Sequence, residues 1–270
     1  MPARAVIALK GVVAMSDHEQ LIRSEFSRQA DVMAQAAIFN DANVLARICD
    51  AGRLTGSSRV LDVACGPGIV VETLARLAGE VVGCDITPAM LEKARERCDR
   101  AGLANTLFTP GRAEALPFED ASFDVVVSRS AVHHFQDPTA AFREMTRVVK
   151  SGGRVITVDV QSAEAPEEAA LHNALEILRD PSHVRMLPRS ELHRSLADAG
   201  LEIEEVVAWT NHREFSEWMK IAAAPERVAP LDVVMTALAK RGASAGIGLR
   251  LESGKLRFEH SAALTVAIKR

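Results

Sequence analysis

The chain has 270 residues, 48% of them hydrophobic, which is enough for a full core and one domain with appended segments. Its formal charge of −4 lacks the basic excess that follows a nucleic-acid backbone, and 4% aromatics without a tyrosine offers no stacking platform for single strands. Four cysteines, Cys49, Cys65, Cys84 and Cys98, lie without paired or Cys/His metal-type spacing. Reduced thiols, a cytoplasmic location and no metal are therefore expected.

Met1 to Ala14 is mildly apolar, is interrupted by Arg4 and Lys10, and lacks a cleavage context. Residues 1–17 read as a disordered leader rather than a signal peptide, with Met15 as an alternative start. No run approaches a membrane span. Leu21, Ile22, Phe26, Met33 and Ala36 fall at helical spacing, predicting an amphipathic helix over 18–39.

Alternation then begins. Strands are expected near 59–64, 80–84, 105–109, 123–129 and 154–159, with helices near 69–78, 88–101 and 138–149. This pattern predicts an α/β fold, a doubly wound, mostly parallel sheet with helices on both faces and ligands at the strand C-termini. A helix near 189–199, a strand near 202–209 and a last strand over Leu264–Ile268 extend it. Residues 163–187 and 212–258 do not fit the sheet. They read as cap insertions, largely helical, with a hairpin over Gly248–Phe258 around Ser253-Gly254. The sheet domain thus takes 18–162 with its leading helix, and 188–211 with 259–270.

The most informative segment is Val60-Leu-Asp-Val-Ala-Cys-Gly-Pro-Gly68, followed by Asp85 at the end of the next strand. Gly66 and Gly68 allow a tight turn and close ligand approach. An acid at the neighbouring strand end can accept both hydroxyls of a ribose. The dinucleotide fingerprint requires a third glycine where Val71 stands, and no phosphate-loop Gly-Lys-Ser/Thr follows. A phosphate-free, cationic nucleoside fits this loop better than NAD.

These residues resemble the class I S-adenosylmethionine-dependent methyltransferases of the small-molecule type, the type 11 and ubiquinone/menaquinone methyltransferase group. The resemblance implies a Rossmann-like seven-stranded sheet with an antiparallel last strand inserted between the fifth and sixth. It also implies S-adenosylmethionine as cofactor, S-adenosylhomocysteine as product, and a small-molecule methyl acceptor. Carried over residue by residue, it places Asp62, Ala64, Cys65, Gly66, Gly68, Asp85, Ile86, Met90, Ala113 and Ser128 at the cofactor. Where the family usually has an adenine-contacting acid this chain has Arg112, so Ala113 is carried over through its backbone alone. On this reading Arg112→Asp leaves cofactor binding intact or improves it. Phe26-Ser-Arg-Gln-Ala30 resembles the family's helix that closes over the cofactor.

His133-His134 follows the fourth strand and Asp159 closes the fifth. Histidine suits a general base near neutral pH, and a neighbouring carboxylate can orient it. The three residues resemble the arrangement in sugar O-methyltransferases of indolocarbazole biosynthesis and are the expected catalytic group. The resulting expectation is O-methylation of a small, largely apolar hydroxylated metabolite. C-methylation of a quinone-type ring is the alternative, and a non-catalytic nucleoside-binding protein or a nicotinamide-dependent oxidoreductase is the rival from another class. Monomer and homodimer both remain open.

Overall fold

The computed structural model describes residues 16–270, so most of the expected leader lies outside the described residues. Helix α1 (Asp17–Gln35) opens with a reciprocal cap. The Ser16 hydroxyl accepts from the Glu19 amide at 3.2 Å, and the Glu19 carboxylate accepts from the Ser16 amide at 2.9 Å. Asp17, assigned to the leader by its sequence, is thus the first helical residue. The helix stops earlier than its periodicity predicts. Ala36 is extended, and the Asn40 side-chain amide donates to the Ala36 carbonyl at 2.9 Å, fixing a turn that swings Phe39 inward. Helix α2 (Ala42–Gly52), absent from the sequence expectation, buries Val44, Ile48 and Ala51 along one stripe and is capped by Asp41.

The sheet follows: β1 (Arg59–Val63), α3 (Ile69–Ala75), β2 (Glu80–Asp85), α4 (Pro88–Arg100), β3 (Thr106–Pro110) and β4 (Phe123–Arg129). Next come α5 (Pro138–Val148), β5 (Val149–Gln161), α6 (Pro166–Arg179), α7 (Arg189–Asp198) and β6 (Leu201–Glu214). The chain ends with α8 (Phe215–Ala222), α9 (Pro225–Lys240), β7 (Arg250–Glu252) and β8 (Lys255–Lys269). The strand order is β3-β2-β1-β4-β5-β8-β6, with the short β7 paired only to β8. Strands β1 to β5 pair in parallel, and β8 runs antiparallel between β5 and β6. The expected seven strands and inserted last strand are present, with β7 as an eighth.

Pleating sends alternate residues of β1 to opposite faces: Val60 joins the core beneath α2 and α3, and Leu61 joins the core with Phe142 and Met145 of α5. The order reverses between β1 and β4, so the carboxyl ends of these strands open a crevice.

The C-terminal half differs most from expectation. The predicted hairpin arm and last strand are one continuous strand, β8, because small Ser261, Ala262 and Ala263 pair with both β5 and β6 where the sequence suggested a break. Likewise β6 continues beyond 209 to Glu214, antiparallel to β8 throughout. Their extended ends support a cap of α6, α8 and α9, whose core holds Leu175, Trp218, Met219, Met235 and Phe258. Leu178 of α6 points away from this core and is 54% exposed.

Candidate active site

Two adjoining hollows lie over the strand ends and share Phe26, Met33, Phe39, Arg129, Ser130 and His134. The inner hollow is built on the β1–α3 loop. Ala64 and Gly66 both take left-handed backbone, with φ of +57° and +50°. Space beside Gly66 is open, and its amide donates to Asp85 Oδ2 at 2.8 Å. Asp85 Oδ1 accepts the Thr87 amide at 2.8 Å. Each carboxylate oxygen keeps a further lone pair for a hydroxyl.

Asp62, Ala64, Cys65, Ile86, Met90 and Ala113 also line this hollow. Asp62 Oδ2 is buried without a hydrogen-bond partner. Burial, then the nearby Asp85 charge, pushes the Asp62 carboxyl well above its usual range, while Arg129 opposes this. An orphaned buried acceptor beside an open glycine loop fits the ammonium and ribose of S-adenosylmethionine.

Two expected cofactor residues face elsewhere. Gly68 is absent from the wall: a Cβ there would stand 2.7 Å from the Cβ of Ala94, so this glycine lets α3 approach α4. Ser128 is fully buried beside Thr157 in the sheet, and its hydroxyl has no partner. The crevice begins one residue later, where β4 ends, with Arg129 and left-handed Ser130.

Arg112 has a partner the sequence did not reveal. Its Nε lies 2.6 Å from Glu19 Oε1 in α1. Helix α1 is further fastened by Gln29 Nε2 donating to Asp180 at 2.8 Å and by Arg227 donating to both oxygens of Glu25 at 2.8 and 2.9 Å. It thereby roofs both hollows through Phe26 and Met33. The arginine closes the roof.

The histidines sit on a 3₁₀ turn, Val132–His134, just beyond β4. Asp159 organises this turn. Its Oδ2 accepts the amides of Ala131 (3.1 Å) and Val132 (2.7 Å). Its Oδ1 lies 2.5 Å from His133 Nδ1 and also accepts the Val160 amide. His133 Nδ1 thus carries the hydrogen, leaving Nε2 as the lone-pair nitrogen. Burial disfavours protonation of His133, but the Asp159 charge and hydrogen bond outweigh it and raise its pKa above the usual histidine value.

His134 differs. Its Nδ1 donates to the Ser182 carbonyl at 2.9 Å, and burial, with repulsion from His133, lowers its pKa to about 4. His183, in the turn after α6, stacks on His133 at 4.8 Å between centroids. By its sequence, Arg179-Asp180-Pro-Ser-His183 reads as a helix-ending turn that could also supply a polar contact. The His133 carbonyl accepts the amides of Val184 and Arg185, which brings that turn over the site.

His133 and Asp159 line the outer hollow, and His134 lines both. Phe26, Met33, Phe39, Trp218 and Ile221 give the outer hollow apolar walls, and Glu176, Arg179, Asp180, Arg213 and His260 give it a polar end. These cap residues carried no local motif, since their convergence depends on how α6, β6 and β8 pack.

A parallel sheet with an acid-and-glycine nucleoside loop beside a histidine–carboxylate hollow defines the class I methyltransferase architecture. The methyltransferase-domain family model matches residues 61–157. YcgJ, an uncharacterized methyltransferase of Bacillus subtilis (strain 168), is 33% identical over 200 residues, covering 74% of this chain and 79% of the relative. Its crystal structure superposes with a TM-score of 0.79 at 31% identity, covering 84% of this chain and 98% of that one. The ubiquinone/menaquinone biosynthesis C-methyltransferase UbiE of Pasteurella multocida (strain Pm70) is 30% identical over 197 residues, 69% of this chain and 73% of that protein. The chain belongs to the S-adenosylmethionine-dependent methyltransferases of class I. It is an enzyme whose methyl donor is S-adenosylmethionine. Among the described residues, no helix is long and apolar enough to cross a membrane.

Proposed function

We propose that the enzyme O-methylates a small hydroxylated acceptor held in the outer hollow, with His133 as general base. The observation that carries this reading is the Asp159-backed His133, with its Nε2 uncommitted at the wall of that hollow. S-adenosylmethionine, when bound, supplies an electrophilic methyl group on sulfur and leaves as S-adenosylhomocysteine. Asp62, Asp85 and the Gly66 loop would hold it. Ala64, Cys65, Ile86, Met90 and the Ala113 backbone would complete its walls.

His133 Nε2 would take the hydroxyl proton of the acceptor, whose oxygen would receive the methyl group that the bound cofactor would supply. Asp159 stabilises the resulting imidazolium and keeps the hydrogen on Nδ1. His134, held neutral, shapes the boundary between donor and acceptor rather than moving the proton. The roofing helix excludes water, which would otherwise solvate the nucleophile.

The acceptor combines an apolar or aromatic body, packed among Phe26, Phe39 and Trp218, with a polar end near Arg179 and Arg213. This modifies the largely apolar acceptor expected from sequence. The similarity to UbiE favours a second reading, C-methylation of a quinone-type ring, in which His133 deprotonates a ring hydroxyl and a carbon attacks. Incubation with a methyl-labelled donor and a panel of phenols, alcohols and hydroquinones, followed by mass spectrometry, tests both. A methyl ether supports O-transfer, whereas a ring-methylated product replaces it with the second reading. Turnover of no hydroxylated compound, with transfer to amines instead, overturns both.

A further inference from the structure

The cap holds a second group of buried polar side chains, at the polar end of the outer hollow, that takes no part in the proposed proton transfer. His172 and Glu176 lie one turn apart on α6, and His260 of β8 packs against them; their residues are 1%, 1% and 3% exposed. His260 Nε2 lies 3.1 Å and His172 Nε2 3.7 Å from the same oxygen, Glu176 Oε1. The ligand atoms of the three residues all fall within 4.8 Å of one another. Yet none of the three atoms has an aligned hydrogen-bond partner. Buried polar atoms are rarely left so, and three converging ones point to something that sits between them.

We propose that His172, Glu176 and His260 form a binding site for a divalent transition-metal ion of the zinc class. Two imidazoles and one carboxylate are a common zinc donor set. Tetrahedral ligands at roughly 2.1 Å stand about 3.4 Å apart, and the observed 3.1 and 3.7 Å bracket that edge. Arg179 Nη1 donates to Glu176 Oε2 at 3.4 Å, which leaves Oε1 for the ion.

Glu176 and His260 line the outer hollow, so a fourth coordination position opens toward the acceptor, as in three-ligand zinc sites. The nearby Arg179 and Arg213 weaken any dication. The donor set, one carboxylate and two imidazoles, disfavours calcium and magnesium, which need many oxygens, and leaves an ion held by imidazole nitrogen. Arg213 is already paired to Glu217 at 3.0 and 3.2 Å.

The other histidine cluster, His133, His134 and His183, suits an ion less well. Its ligand atoms also fall within 4.8 Å of one another, but Nδ1 of His133 is committed to Asp159 and Nδ1 of His134 to the Ser182 carbonyl, and the cluster includes no carboxylate ligand. The expectation of a metal-free chain rested on local spacing, and His260 is too far along the sequence from His172 and Glu176 to register in it.

The test is zinc uptake rather than turnover, so it stands apart from which acceptor is methylated. The full chain, stripped with a chelator, is titrated with zinc chloride by calorimetry, and cobalt(II) is added separately for its visible spectrum. One zinc per chain is expected, with cobalt bands of low coordination number. Glu176→Gln and His260→Asn should weaken zinc by more than the roughly 10–100-fold that losing a supporting partner costs a metal site. His183→Asn should keep it. Stripped wild-type protein that takes up no zinc overturns the site, as does binding lost in His183→Asn but kept in Glu176→Gln. Should a ligand variant fail to fold by circular dichroism, His172→Gln replaces it and the wild-type titration still decides.

Discussion

Asp159 and His133 are joined at 2.5 Å through Oδ1 and Nδ1, while the other oxygen of the same carboxylate gathers the amides of Ala131 and Val132. One side chain therefore sets both the tautomer of the proposed base and the turn that carries it. Replacing His133 by Gln should lower turnover by about 10²–10⁴-fold with cofactor affinity nearly unchanged. An acceptor already ionised at assay pH should recover most of the loss. Full turnover of a neutral alcohol by His133→Gln would remove the base role. Asp159→Asn should lower turnover less, but it also leaves amide donors without acceptors. A stability loss of about 1–3 kcal/mol in urea unfolding is expected with it.

The pH profile follows from the opposite shifts of the two histidines. His133 must be neutral to accept a proton, and its pKa lies above the ordinary value. The acid limb of kcat should therefore sit above the reference of about 6.5 and move to lower pH in Asp159→Asn. For stability, a raised His133 contributes fully below its unfolded pKa, and that contribution is lost as pH rises through its folded pKa. His134 has the reverse sign. Its pKa is lowered to about 4, so it favours the folded state above the unfolded value, and this is lost as pH falls toward 4. Denaturant midpoints measured from pH 7 to 4 should fall less steeply in His134→Gln.

Asp85 commits one lone pair of each oxygen to backbone amides, Gly66 and Thr87, and keeps the others for a ribose. Asp85→Ala should weaken S-adenosylhomocysteine binding by about ten-fold or more in calorimetry, through loss of charge-assisted hydrogen bonds. Unchanged affinity would place the ribose elsewhere.

The Arg112–Glu19 ion pair reverses the expectation that an acid at 112 is harmless. Arg112→Asp sets two carboxylates against each other between α1 and the cofactor hollow. Several-fold weaker cofactor binding is expected, by roughly 1 kcal/mol. The swapped pair Glu19→Arg with Arg112→Asp should restore part of it. A single variant that binds as wild type would show that the roof does not depend on this pair.

Gly68 tests packing apart from chemistry. A methyl group there meets Ala94 at 2.7 Å on a backbone with φ of +78°. Gly68→Ala should therefore lower stability by about 1–3 kcal/mol. Ala64→Gly should be neutral or stabilising, because Ala64 holds φ of +57° at a strain of about 1 kcal/mol. Thermal melts should show a lowered midpoint for Gly68→Ala and an unchanged or raised one for Ala64→Gly.

The sheet domain was legible because its signals are local. β-branched runs such as Val125–Val127 alternate with amphipathic helices, and a glycine loop between them leaves only a parallel, doubly wound arrangement with its site at the strand ends. The same locality exposed Gly66, Asp85 and the adjacent histidines. What the residues face was decided by tertiary structure. Pleat and strand length turned Ser128 away from the crevice, and helix packing claimed Gly68. Asp159 raises the pKa of His133 while burial lowers that of His134, because burial and charge come from elements distant in the chain. The Arg112–Glu19 pair and the His172–Glu176–His260 group arise the same way. Sequence period tells which face a residue shares with its neighbours, and only the packing of remote elements tells what meets that face.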